Sequence, residues 1–130
     1  MKLNNDLIRV LLLEIEDKTD FNVMFTFDNS GEDPVSKQLL STYSVNEIRY
    51  HINQMIKSDL IEVYQQVDEF VVISDLTPFG HEFISNIRSN NIWSKTKSIA
   101  EIVGSKSLDA LVNISSGVIA KVIEHELGYL

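Results

Sequence analysis

Residues 44–78 limit the available folds more than any other stretch. Ser44 followed three residues later by Glu47 has the form of a capping box, in which each side chain satisfies the other residue's backbone amide. Val45, Ile48, Ile52, Met55 and Ile56 then recur at helical spacing, which predicts a helix over residues 44–58 with that stripe buried. Leu60 to Tyr64 and Phe70 to Ser74 are two runs with strand chemistry. The polar segment Gln65-Gln-Val-Asp-Glu69 between them predicts a hairpin. Thr77-Pro78, a cap followed by proline at the first helical position, opens another helix to about Asn90. The helical stripe and one face of the hairpin must share a core, so the polar flank of the helix projects beside an antiparallel ribbon.

The flanking segments supply the rest of a small α+β unit. Leu3, Leu7, Val10, Leu11, Glu14 and Ile8, Leu12, Ile15 fall at helical spacing and make a wide, largely apolar stripe in a helix over residues 3–18, with Asn4, Asn5 and Asp6 at its N-terminal end. Phe21, Val23, Phe25 and Phe27 alternate, which predicts a short strand over 21–27. Asp28-Asn-Ser-Gly-Glu-Asp-Pro34 is dense in turn formers, and Asp33-Pro34 can start a short helix ending near Leu40. Beyond residue 91, Ile92, Trp93, Thr96, Ile99, Ala100 and Val103 mark one helix closed by Gly104. Ser107 caps another, whose stripe is Leu108, Leu111, Val112, Val118, Ile119, Val122, Ile123 and Leu127, with Gly128 as its stop. Ser115-Ser116-Gly117 lowers helix propensity midway along it and marks a candidate kink. This gives two parts: residues 1–90, and a C-terminal helical extension over 91–130.

Composition removes several classes of function. The 130 residues include no Cys, which excludes a disulfide framework, a thiolate metal site and a cysteine nucleophile. The apolar run Val10–Leu13 is too short for a signal peptide or a membrane span, so the expectation is a cytoplasmic protein with no membrane partner. Lys and Arg number 11 against 19 Asp and Glu, a net charge of −8. Residues 1–59 carry 6 cations and 10 acids, residues 60–90 carry 1 and 5, and residues 91–130 carry 4 and 4. A chain without a basic run starts at a disadvantage on nucleic acid, because phosphate neutralisation supplies much of that affinity.

The order helix, strand, short helix, capped helix, hairpin is that of a winged helix-turn-helix, here with additional C-terminal helices. The stretch Tyr43-Ser-Val-Asn-Glu-Ile-Arg-Tyr-His-Ile-Asn-Gln-Met-Ile-Lys-Ser-Asp-Leu-Ile-Glu62 resembles the recognition helix, tight turn and first wing strand of bacterial winged-helix regulators. Those proteins usually place glycine at the turn. Ser58-Asp59 stands there instead, and Asp tolerates a left-handed backbone. Met1-Lys-Leu-Asn-Asn-Asp-Leu-Ile-Arg9, Tyr50-His51-Ile52, Leu76-Thr-Pro-Phe-Gly-His81 and Trp93-Ser-Lys-Thr-Lys97 together resemble a family of short proteins often found in prophages and Gram-positive bacteria. That family is catalogued as a domain of unknown function. The resemblance implies a winged-helix fold and a phage-linked origin, and it carries over no activity.

Opposite the buried stripe of the 44–58 helix lie Asn46, Tyr50, Asn53 and Lys57, with Arg49 at the edge. Asn can read adenine edges and Lys or Arg can hold phosphate or guanine, so these five residues are the DNA-contact candidates. A solvated helix face would look much the same. The wing tip argues the other way, because Asp68 and Glu69 would repel phosphate at short range. Those two residues are the protein-interaction candidates. His51, His81 and His125 lack metal-ligand spacing, and His51 borders the buried stripe as a structural residue. Trp93, near Lys95 and Lys97, could stack on a base but more simply anchors its helix. The chain shows no nucleophile elbow, phosphate loop or dinucleotide fingerprint. The expectation is a non-enzyme with no cofactor.

Two functions follow. One is a prophage-type transcriptional regulator binding DNA through residues 44–58. The other is an acidic winged-helix module that binds a basic host or phage protein and no DNA. Under either, residues 107–127 offer a surface for a homodimer.

Overall fold

The computed structural model describes residues 1–128, which form six α-helices and one three-stranded antiparallel sheet. The order is α1 (Asn5–Lys18), β1 (Phe25–Asp28), α2 (Pro34–Leu40), α3 (Val45–Lys57), β2 (Ile61–Gln66), β3 (Phe70–Leu76), α4 (Pro78–Ile87), α5 (Asn90–Val103) and α6 (Leu108–Leu127). The chain divides into two units, Met1–His81 and Glu82–Leu130.

In the first unit β3 is the central strand, with β1 on one side and β2 on the other. β1 pairs in register with β3, from Phe25 opposite Ile73 to Asp28 opposite Phe70. The β2–β3 ladder shifts register twice, leaving Ser74 and then Tyr64 without an opposite residue. Phe25, Phe27, Ile61, Val71, Ile73 and Leu76 are buried along the sheet. Leu7, Ile8, Leu11, Leu12 and Ile15 of α1 and Ile48, Ile52 and Met55 of α3 are fully buried. Burial of an aliphatic side chain of this size stabilises by about 1.5–3 kcal/mol, which makes this shared core the main cohesive force. Val45 and Ile56, expected in the α3 stripe, sit at its margins half-buried, and His51 occupies the core beside it.

Helix starts follow the caps read in the sequence. Asn4 accepts from the Leu7 amide at 3.2 Å, Asp33 from the Ser36 amide at 2.9 Å, and Ser107 from the Ala110 amide at 3.1 Å. The Ser36 hydroxyl, fully buried, accepts from the Asp28 amide at 2.9 Å and so ties α2 to the end of β1. The first strand is shorter than the expected 21–27. Asp20 Oδ1 accepts from the Asn22 and Val23 amides at 2.7 and 2.8 Å, and its own amide donates to the Val23 carbonyl. That turn takes residues 20–23 out of extended geometry and leaves Phe21 fully exposed.

In the second unit α5 and α6 pair as a helical hairpin. Gly104 closes α5 in a left-handed conformation, φ 81°, its amide donating to the Ala100 carbonyl at 2.9 Å. α5 starts at Asn90 because Ser89 caps it, two residues earlier than the apolar pattern indicated. Helix α6 runs unbroken through Ser115-Ser116-Gly117, and the Ser115 hydroxyl donates back to the Val112 carbonyl at 2.9 Å. Trp93 is buried, 4% exposed, with the Lys97 ammonium 5.4 Å from its ring centre, so it anchors α5. No helix among the described residues is long and apolar enough to cross a membrane.

Candidate interface on helix α3 and the hairpin

Helix α3 is fixed at both ends by local chemistry. The Glu47 amide donates to the Ser44 hydroxyl at 3.1 Å and the Ser44 amide to the Glu47 carboxylate at 3.2 Å, completing the capping box. At the other end Asp59 takes a left-handed backbone, φ 58°, and the chain turns directly into β2. Thr77 locks that turn. Its hydroxyl donates to the Asp59 carbonyl at 2.5 Å and accepts from the Gly80 amide at 2.9 Å, while its amide donates to the Leu60 carbonyl at 3.0 Å. A Cβ on Gly80 would collide with the Leu60 carbonyl, whose carbon would lie 3.0 Å away. The Thr77-Pro-Phe-Gly80 motif thus holds the start of α4 against the α3–β2 turn.

His51 fixes α3 to α1. It is 1% exposed; its Nε2 accepts from the Asn4 amide at 2.7 Å and its Nδ1 lies 2.7 Å from the Glu47 carbonyl. An amide can only donate, so the Nδ1 carries the ring proton. Tyr50 is half-buried and meets the His51 ring edge-on, centroids 5.4 Å apart.

The five residues expected on the polar flank of α3 do not share one fate. Asn46 and Lys57 are exposed. Arg49 instead reaches the hairpin turn: its Nη2 donates to the Val67 carbonyl at 2.7 Å and its Nη1 to Asn29 Oδ1 at 3.1 Å, with the Asp68 carbonyl at 3.5 Å. Asn53 Oδ1 accepts from Gln66 Nε2 at 2.9 Å, so it too is turned toward the hairpin. Asn29 completes the arrangement. Its side-chain amide donates to the Asp68 carbonyl at 2.7 Å and its backbone amide to the Glu69 carbonyl at 2.9 Å. The carbonyls of 67–69 therefore face Arg49 and Asn29, while the Asp68 and Glu69 side chains remain exposed. Sequence reasoning did not find Asn29 or Gln66. Asn29 reads as a turn former in a turn-rich loop, and no periodic rule relates it to a residue twenty positions away.

The electrostatic result is an acidic face with its central cation already engaged. Residues 44–69 carry Arg49 and Lys57 against Glu47, Asp59, Glu62, Asp68 and Glu69. In the adjoining loop the Ser30 amide, donating at 2.9 Å, and then the Ser30 hydroxyl hold the Asp28 carboxyl below the ordinary aspartate range. Among the described residues no group of three or more His, Asp or Glu is placed to hold a metal ion. His81 Nε2 stands 3.4 Å from Asp75 Oδ1, a partly exposed pair away from the α3 flank.

Three comparisons place the chain among known proteins. It is 27% identical over 130 residues to an uncharacterized protein of Haemophilus influenzae, an alignment that covers 98% of this chain and 99% of that one. No solved structure matches it. A family model described as "Hypothetical protein (DUF2513)" matches residues 2–106, which include the whole sheet, α3 and the Thr77–Gly80 junction, and the chain accordingly belongs to the DUF2513 family.

Proposed function

We propose that this chain is a winged-helix protein whose α3–hairpin face is an acidic docking surface for a basic protein partner. The element order α1-β1-α2-α3-β2-β3 and the sheet order β1-β3-β2 support the winged-helix reading, with β2–β3 as the wing. One observation carries the functional part. Arg49, the cation at the middle of the helix that would face DNA, spends its guanidinium on the Val67 carbonyl and Asn29. What that leaves toward solvent at the wing is Asp68 and Glu69. A phosphate backbone would meet repulsion there, whereas a partner rich in Lys and Arg would be steered in.

The test is the pair Asp68→Lys with Glu69→Lys. The wild-type protein should capture a stoichiometric basic partner from lysate, with affinity falling as salt rises, and the charge-reversed pair should lose it. Capture unaffected by the reversal overturns the proposal.

A second reading keeps DNA as the partner, and the exposure of Asn46 and Lys57 on one helix favours it. Eleven residues at 1.5 Å rise set these two roughly 16 Å apart, within the span of one groove crossing. Gel shifts with duplex DNA at about 50 mM salt separate the readings. Binding that weakens on Lys57→Ala supports a regulator, and absence of binding at that salt removes it.

A further inference from the structure

A second face of the sheet lies opposite the core. Alternation along the strands puts Phe25, Phe27, Val71 and Ile73 on the inner, buried face. Thr26 and Gln65 are both opposite Val72, so these three residues form one row straight across the outer face. Asp28 and Phe70 make the next row toward the hairpin turn, and Glu62 lies beyond the first row at the other end. Thr26, Gln65 and Glu62 are exposed, whereas Phe70 and Val72 are half-buried. Tyr64, left unopposed between Val63 and Gln65, is 66% exposed.

An antiparallel sheet with one face in water alternates apolar residues inside with polar residues outside. Strand β3 breaks that rule. Phe70-Val-Val-Ile73 is apolar on both sides, the composition of a strand covered twice, yet its outer members keep part of their surface open. Met24, just ahead of β1, is 43% exposed as well. Charge is an independent observation. Segments 20–36 and 58–81 hold all three strands, and they carry four and five Asp or Glu with no Lys or Arg. Asp75, opposite Glu62, is engaged by Thr19 and His81, which leaves Asp28 and Glu62 as the charges at the two ends of the face. A second copy laid on this face, or a nucleic acid, would bring like charge to like.

We propose that the outer face receives one basic amphipathic helix of a partner protein, its apolar stripe over Phe70 and Val72 and its Lys or Arg side chains at Glu62 and Asp28. Width selects the element. Three strands roughly 4.8 Å apart span about 10 Å, the diameter of a single helix with its side chains. Tyr64, on the outer strand β2, adds an open aromatic ring on which a guanidinium or ammonium can lie. Aromatic side chains of this kind are the usual anchors of protein interfaces. The inference rests on the basic-partner reading above, and it names the element that the partner inserts and the surface that holds it. The Asp68-Glu69 turn, next to Phe70, borders this face as well as the α3 flank.

The test uses the full chain and a labelled peptide of leucine and lysine, about four turns long, with leucine at helical spacing. Anisotropy should show it binding about tenfold or more tighter than a scrambled peptide of the same composition. In two-dimensional NMR the amides of Thr26, Gln65 and Val72 should shift as the peptide is added. Val72→Thr and Tyr64→Ser should each weaken binding about threefold or more, with circular dichroism unchanged. Glu62→Lys changes an exposed side chain and should do the same, which keeps the test independent of how Val72→Thr folds. Equal binding of the scrambled peptide overturns the proposal, as do shifts confined to the α3 flank or to α5 and α6, or indifference to all three substitutions. Asp68→Lys with Glu69→Lys tells the two readings apart. Binding that shifts only the α3 flank and is lost on this reversal leaves the docking function and removes the outer face. Binding that persists on Thr26, Gln65 and Val72 after the reversal does the opposite.

Discussion

The two units of this chain are held together in different ways. In Met1–His81 the polar side chains reach far along the sequence: Asn4 meets His51, Thr19 meets Asp75 at 3.3 Å, Asn29 meets Asp68, and Thr77 meets Asp59. In Glu82–Leu130 short-range side-chain bonds shape the helices themselves, as from Ser89 to Ile92, Thr96 to Ile92 and Ser115 to Val112. Apolar side chains of α5 and α6, among them Trp93, Ala100, Leu111 and Val118, are buried there. Directional bonds over long separations fix a helix and a hairpin in one arrangement, since each buried donor left without its acceptor is costly. An apolar helical hairpin is less particular in its geometry, since apolar burial is non-directional.

Two glycines give the sharpest way to break this contrast. Gly80→Ala drives a methyl into the Leu60 carbonyl and should cost about 3 kcal/mol or more in urea unfolding. Gly117→Ala meets open space and should leave the fold unharmed or stabilise it by up to about 1 kcal/mol. Equal effects would mean that the Thr77–Gly80 junction is not the constraint described. Arg49→Ala should cost about 2 kcal/mol, because it removes charge-assisted bonds to the β2–β3 hairpin turn. Hydrogen exchange should then speed up at the Asn29 and Val67 amides, which donate to Glu69 and Phe70. Unchanged exchange there would show that Asn29 alone secures the turn. In the other unit, Ser107→Ala should cost about 1 kcal/mol and raise exchange only in the first turn of α6. Spread of that effect beyond α6 would erase the distinction between local and long-range bonding.

The smallest effect is a titration. Because the Asp28 pKa is lowered in the folded protein, its contribution is fully present above the ordinary aspartate value of about 3.9 and is lost as pH falls below that through its own value. The Ser30 amide resonance should follow this carboxyl in an NMR titration, and Asp28→Asn should abolish the response.

How much of this was legible depended on the range of each signal. Caps at Asn4, Asp33, Ser44 and Ser107 and the stop at Gly104 act within a few residues, so the sequence shows them directly. The α+β character and the hairpin were equally plain, from period-two runs beside a period-3.6 stripe. Phe21 misled because alternation continues through it, while the Asp20 carboxylate, competing for backbone amides, ends the extended geometry before β1. The candidate site was legible as a helix face but not in what that face does. Arg49 and Asn53 have the chemistry of DNA readers, and their partners Val67, Asn29 and Gln66 become neighbours only once the hairpin folds back.

The two register shifts in β2 have a consequence for the molecule in a crowded solution. β2 is an outer strand, and a flat row of unmated amides along it would invite another chain to add on. With Tyr64 left unopposed and Ser74 turning its hydroxyl to the Glu62 carbonyl at 3.2 Å, the ribbon twists locally and its outer rim is irregular. An irregular outer strand of this kind is a poorer template for edge-to-edge addition than a flat one.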